Sequence, residues 1–184
     1  MTPLQRAVFA LKETQARLDA IQRQRSEPIA IVGMACWLPG GAIDAASYWR
    51  LMCDSVEAIR EMPADRFDVD AYFDPDPAAP GKMNTRWGGF LDRVDEFDNH
   101  FFGISDQEAS RIDPQQRIIL ELAWEALEDA GLPPRTLRGS GAGVFMGISA
   151  SDYSVLLCTD RDQTDGYAAA GTSLCLADNR VSFA

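Results

Sequence analysis

One histidine, four cysteines without a CxxC pair, and no apolar run long enough to cross a bilayer are the main scarcities in this sequence of 184 residues. Each removes a class of function. Zinc sites take three or four His, Cys or carboxylate ligands at compatible spacing, and one imidazole with thiols scattered at positions 36, 53, 158 and 175 does not provide them. Nucleophilic serine or cysteine chemistry needs a base, and His100 is the one imidazole in the sequence. A spanning helix needs about 20 consecutive apolar residues. The N-terminus opens with a charged amphipathic pattern where a secretion signal carries an apolar stretch. The expectation is a cytoplasmic protein with reduced thiols and no membrane partner.

Basic residues are also scarce, 17 Lys+Arg against 28 Asp+Glu, for a net charge of −11. Arg6, Lys12, Arg17, Arg23 and Arg25 against Glu13, Asp19 and Glu27 give residues 1–28 a charge of +2, which leaves −13 for the rest. A body that acidic repels phosphate backbones, so nucleic acid is excluded as a partner.

Cofactor signatures are absent. No GxxxxGK[ST] follows the first apolar run, and Gly139, Gly141 and Gly143 precede a strand-like run where a dinucleotide fingerprint would follow one. Asp68, Asp70, Asp74 and Asp76 lack the order of a calcium loop and read as a solvated acidic segment. Cys175 follows Gly171-Thr172-Ser173-Leu174 without a GxSxG elbow and reads as a buried structural thiol. His100, in Phe97-Asp98-Asn99-His100-Phe101-Phe102, reads as a partly buried neighbour of aromatic rings rather than a base. No catalytic, cofactor-binding or metal-ligating residue emerges.

What the sequence does contain begins with an arm. Thr2-Pro3 is a helix start, a hydroxyl cap before a proline whose missing N–H costs nothing in the first turn. Leu4, Leu11 and Leu18 recur every seventh residue, with Ala7, Thr14 and Ile21 at the complementary positions and Val8 widening the stripe. A single helix with one apolar stripe is marginal alone. It calls for self-association as a coiled coil, a docking partner, or packing on its own body. The break Ser26-Glu27-Pro28 separates residues 1–26 from the body at 27–184 and favours association.

The body opens with Ile29-Ala30-Ile31-Val32-Gly33-Met34-Ala35-Cys36, a run suited to a strand buried on both faces, and Gly143 to Ile148 repeats the pattern. Asp44 caps a helix through Tyr48, Trp49, Leu51 and Met52, and Ser149 or Ser151 caps a segment from Tyr153 to Cys158. The clearest helix starts at Asp113-Pro114, carries Ile118, Ile119, Leu122, Ala123, Ala126, Leu127 and Ala130 as its inward stripe, and ends at Gly131. Residues 63–90, rich in Pro, Asp and Gly, form a long loop ordered by Phe67, Tyr72, Phe73, Trp87 and Phe90. Ser173 to Ala184 has the spacing of a helix or buried segment that stops without a polar tail, which suggests an incomplete polypeptide.

Taken in order, Glu27-Pro28-Ile29-Ala30-Ile31-Val32-Gly33-Met34-Ala35-Cys36, Leu38-Pro39-Gly40-Gly41, Pro63-Ala64-Asp65-Arg66-Phe67, Asp74-Pro75-Asp76, Arg86-Trp87-Gly88-Gly89-Phe90-Leu91, Phe101-Phe102-Gly103-Ile104-Ser105, Asp113-Pro114-Gln115-Gln116-Arg117, Trp124-Glu125-Ala126-Leu127-Glu128, Gly143-Val144-Phe145-Met146-Gly147, Ser151-Asp152-Tyr153 and Asn179-Arg180-Val181-Ser182 resemble the opening of the β-ketoacyl synthase domain of type I modular polyketide synthases. The heptads resemble the N-terminal helix by which such subunits dimerise and dock on the tail of an upstream subunit, through Leu4, Leu11, Leu18 and Ile21 here.

The resemblance implies an α/β fold of the thiolase-like kind, here a partial one with incomplete αβαβα layers, preceded by a coiled-coil helix. It also implies a homodimer. Family members load an acyl chain from an acyl carrier protein onto a cysteine and join it to a carrier-bound malonyl-type extender by decarboxylative Claisen condensation. No cofactor is bound directly, because phosphopantetheine is carried by the partner acyl carrier protein. The family's nucleophile stands in a D-T-A-C-S-S motif beyond the Asn179-Arg180-Val181-Ser182-Phe183 segment, and its two histidines come later; none is among these residues. Cys175 and His100 match no family site, so the remainder of the ketosynthase domain is an implied partner. The rival expectation is a non-catalytic docking or dimerisation module, or a gene remnant.

Overall fold

The computed structural model describes residues 2–159 and 165–184, the side chains of Gln24 and Cys158 excepted. The chain divides into two units, Met1–Val32 and Gly33–Ala184.

The first unit is dominated by helix α1 (Pro3–Ser26). Its start is a reciprocal cap: the Gln5 N–H donates to Thr2 Oγ1 at 3.3 Å, and the Thr2 N–H donates to Gln5 Oε1 at 2.8 Å. Along its side, Arg17 pairs with Glu13 at 3.1 Å and Gln15 donates to Asp19 at 3.0 Å, spacings of one helical turn. Leu4, Leu11, Leu18 and Ile21 are exposed.

In the second unit, Asp44 and Ser47 form the same kind of cap for α2 (Ala45–Cys53), the Ser47 N–H donating to Asp44 Oδ1 at 2.6 Å. Two short strands follow, β1 (Ile59–Glu61) and β2 (Trp87–Gly89), antiparallel with Ile59 opposite Gly89 and Glu61 opposite Trp87. Between them runs the long segment with one turn of helix, α3 (Val69–Tyr72). Of the five rings expected to order it, Phe67, Tyr72 and Phe73 make ring contacts and Trp87 is exposed. Phe67 and Tyr72 meet edge to face at 5.7 Å. The Arg86 guanidinium lies 4.3 Å from the centre of the Phe73 ring and pairs with Glu61 at 3.0 Å and Asp70 at 2.9 Å. A loop throughout was expected; β2 lies inside it, because three residues with two glycines carry no alternation that a sequence pattern could register.

The remaining elements are helical: α4 (Asp106–Ala109), α5 (Pro114–Asp129), α6 (Asp152–Thr159), α7 (Gly166–Thr172) and α8 (Ala177–Phe183), with tight turns at Pro134–Thr136 and Leu174–Leu176. Asp113 caps α5 as expected, accepting the Gln115 N–H at 2.9 Å, and Gly131 beyond its end adopts a positive φ of 64°. Phe101 meets Trp124 of α5 edge to face at 4.7 Å.

The inward face of α5 differs from expectation. Its buried residues are Gln116, Arg117 and Leu120, while Ile118, Ile119, Leu122, Ala123, Ala126, Leu127 and Ala130 are half-buried. Ile112, Gln116 and Leu120 recur every fourth residue, a second face turned toward the core, which also holds Ala42, Leu157, Ala168 and Ala177.

Two expected strands are absent. Neither Ile29–Cys36 nor Gly143–Ile148 forms a strand, and Ile29 and Phe145 are 96% and 95% exposed. The physical reason is backbone pairing: a strand requires a neighbour to take its N–H and C=O groups, and no described residue lies beside either run in that role.

Candidate functional site

The residues of greatest chemical interest lie where the start of α5 meets α7 and α8. Asp113 and Gln116 are each 1% exposed. The Asp113 backbone N–H donates to the Gly171 carbonyl at 2.9 Å. Gln116 Nε2 donates to the same carbonyl at 3.0 Å and to that of Ser173 at 3.1 Å. Arg180 of α8 donates from Nε to Gln116 Oε1 at 3.1 Å and from Nη1 to Glu108 of α4 at 2.9 Å. Arg111 reaches Asp165 at 3.3 Å. The Asp165 carboxyl, which burial alone would raise, is held below its usual range by the N–H of Ala168, the Gln107 amide, the N–H of Tyr167 and the Arg111 charge. Arg117 spends Nη1 on the Asp95 carbonyl at 3.3 Å.

Cys175 and His100 take no part in the hydrogen bonds of this junction. Cys175, expected to be buried, is exposed, and its Sγ has Ser173 Oγ at 3.1 Å. The turn Leu174–Leu176 directs Leu174 and Leu176 partly inward and leaves the middle residue outside. His100 is also exposed rather than tucked against rings, with Nε2 3.4 Å from Asp106 Oδ1. Cys36, Cys53 and Cys175 are free thiols. Among the described residues no cluster of His, Cys, Asp or Glu could hold a metal ion, and no helix is long and apolar enough to cross a membrane.

Beside α5 opens a cleft of about 940 Å³ lined by apolar Trp37, Ile43, Phe97 and Leu122 and acidic Glu121 and Glu125 among others. Partial burial raises the Glu121 carboxyl, and the charges of Glu125 and Asp98 add to the effect. Its lining contains carboxylates and the His100 imidazole but no cysteine.

The polar junction escaped sequence reasoning because buried Gln and Arg do not register in an apolar period. The available signal was the adjacency of Gln115-Gln116-Arg117 to a cap-and-proline start, which puts their amides within the first turn.

Comparison with known proteins places these residues. The pattern of the family described as "Beta-ketoacyl synthase, N-terminal domain" matches residues 26–184. A component of the phenolphthiocerol/phthiocerol polyketide synthase of Mycobacterium bovis is 48% identical over 157 residues, covering 85% of this chain and 9% of the relative. The pikromycin polyketide synthase component PikAII of Streptomyces venezuelae is 45% identical over 181 residues, 98% of this chain and 5% of the relative. Among solved structures, an oxazolomycin ketosynthase domain of Streptomyces albus superposes with a TM-score of 0.74 at 40% identity, over 83% of this chain and 27% of that one. The ketosynthase from module 6 of the bacillaene synthase of Bacillus subtilis gives 0.69 at 36% identity, over 84% and 24%. The chain therefore spans less than a tenth of these synthases and about a quarter of each ketosynthase. Its α/β fold is a partial thiolase-like one.

Proposed function

The chain belongs to the β-ketoacyl synthase family, as the N-terminal part of a polyketide synthase ketosynthase domain, and on that premise we propose that it serves as the scaffold half of a condensing site. In the intact domain a cysteine thiolate attacks the thioester carbonyl of an acyl chain on phosphopantetheine, the bond to the carrier sulfur breaks, and the carrier thiol leaves with a proton. A malonyl-type thioester on an acyl carrier protein then loses carbon dioxide, its carbanion attacks the cysteine-bound acyl carbon, the bond to the cysteine sulfur breaks to release the thiolate, and the lengthened chain stays on the carrier of the extender.

The observation that carries this reading is the matched order of motifs folded on a ketosynthase-like backbone, with Asn179–Ser182 held against Asp113–Arg117. In this reading the residues present hold the substrate-bearing half in place, and no residue here is assigned to the phosphopantetheine arm. The partners are the remainder of the ketosynthase domain, an acyl carrier protein and a second copy of the same polypeptide. Residues 1–26 form the docking and dimerisation helix, which meets the second copy and an upstream subunit through Leu4, Leu11, Leu18 and Ile21; the exposure of that stripe supports this role.

Transfer from a radiolabelled acyl thioester tests the reading. Residues 1–184 alone are expected to acquire no stable label, while the whole synthase polypeptide that includes them is labelled on a cysteine of a downstream D-T-A-C-S-S motif. Stable labelling of Cys175, or carbon dioxide release and chain elongation by residues 1–184 alone, overturns it.

A further inference from the structure

Helices α7 and α8 are seated on the start of α5 by polar groups as well as by the buried Ala168 and Ala177. The carbonyls of Gly171 and Ser173 stand at the end of α7, where helical carbonyls lack intrahelical partners, and Gln116 Nε2 takes both, at 3.0 and 3.1 Å. Its Oε1 accepts from Arg180 Nε at 3.1 Å. Only one orientation of the amide satisfies two acceptors and one donor, so the side chain is fixed by its partners. Space is equally restricted, since a Cβ on Gly171 would collide with the Arg111 carbonyl. Helix α8 has no side-chain cap of its own, a single fully buried residue, Ala177, and an exposed Phe183. Its place depends on Arg180, gripped by Gln116 at one nitrogen and by Glu108 at another.

We propose that Gln116 is a positioning residue of the condensing site, acting through Arg180 to set where α8 and the segment after it lie. This rests on the ketosynthase reading, in which the nucleophile follows Asn179–Phe183. The chemistry is specific to an amide. A carboxylate at position 116 would keep the arginine but turn negative oxygens toward two carbonyls, and an alkyl chain would take the amide donor from the Ser173 carbonyl and the acceptor from Arg180 Nε, leaving the Gly171 carbonyl with the Asp113 N–H alone. Lysine at position 180 would keep the charge but has no second nitrogen with which to bridge Gln116 and Glu108.

The test uses the whole synthase polypeptide that includes this chain, with an acyl N-acetylcysteamine thioester as probe, and compares wild type with Gln116→Glu, Gln116→Leu and Arg180→Lys. The first two are expected to lower kcat for acyl transfer about 30- to 100-fold with KM changed less than about 2-fold, the pattern of a displaced nucleophile rather than lost binding. Amide exchange across residues 166–183 should quicken in the same variants. Should Gln116→Leu fail to fold, Arg180→Lys gives the same kcat loss. Variants that unfold more readily yet load acyl groups at the wild-type rate, or show unchanged exchange in α7 and α8, overturn the positioning role and leave the ketosynthase reading intact. A wild-type synthase that loads no acyl group overturns the ketosynthase reading and this role with it.

Discussion

The backbone N–H of Met34 donates to the Asp129 carboxylate at 2.9 Å, on the last residue of α5. The neighbouring residue explains how the chain comes so near. Gly33 lies against the helix so closely that a Cβ there would collide with the Ala126 carbonyl oxygen and stand 2.8 Å from Ala130 Cβ. A glycine and two alanines thus permit a backbone-to-helix approach that longer side chains would prevent.

Gly33→Ala is accordingly expected to destabilise the fold by about 1–3 kcal/mol through overpacking. Urea unfolding followed by tryptophan fluorescence measures it. An unchanged midpoint would show that the segment does not press on α5 in solution.

Asp113 combines a cap with full burial. Asp113→Ala should cost about 1–2 kcal/mol, because it removes the acceptor for the Gln115 N–H, whereas Asp113→Asn keeps that acceptor and should retain most of the stability. Thermal melts of the two variants separate a capping role from mere occupancy of space.

Glu121 supplies a pH signature. Its folded-state carboxyl is raised by partial burial, so its contribution to stability is fully present below the unfolded-state range and is lost as pH rises through the folded value. Glu121→Gln should therefore melt higher than wild type at neutral pH, with the gap closing as pH falls through the carboxylate range. A gap that widens on acidification would contradict the assigned burial.

Helix α1 is expected to bring two copies together. Leu11→Glu with Leu18→Glu should weaken self-association about 100-fold or more, since each places charge in the apolar seam. Sedimentation of residues 1–184 and 27–184 gives the complementary result: removal of the arm should halve the mass, and an equal number of copies in both would count against the arm as the dimer contact.

Much of the local structure was legible in the sequence because the signals are local. Thr2-Pro3, Asp44 and Asp113-Pro114 each pair an acceptor side chain with nearby backbone N–H groups, and the structure places helix starts at all three. The motif order carried the family for the same reason, each motif being contiguous. The two apolar runs did not become strands, because pairing needs a second backbone that no residue type within the run can provide. Cys175 and His100 were placed inside by the apolar character of their neighbours, yet a single turn of backbone set each of them outside.

The amino-acid order by itself determined the caps, the helix periods, the acidic body with its basic arm, and membership of the β-ketoacyl synthase family. Only the tertiary structure decided that Gln116 and Arg180, 64 residues apart, would meet in a buried polar latch. The reason is range: a cap or a heptad is satisfied within one or two turns of its own helix, while a buried amide is stable only where distant segments bring both donors and acceptors to it.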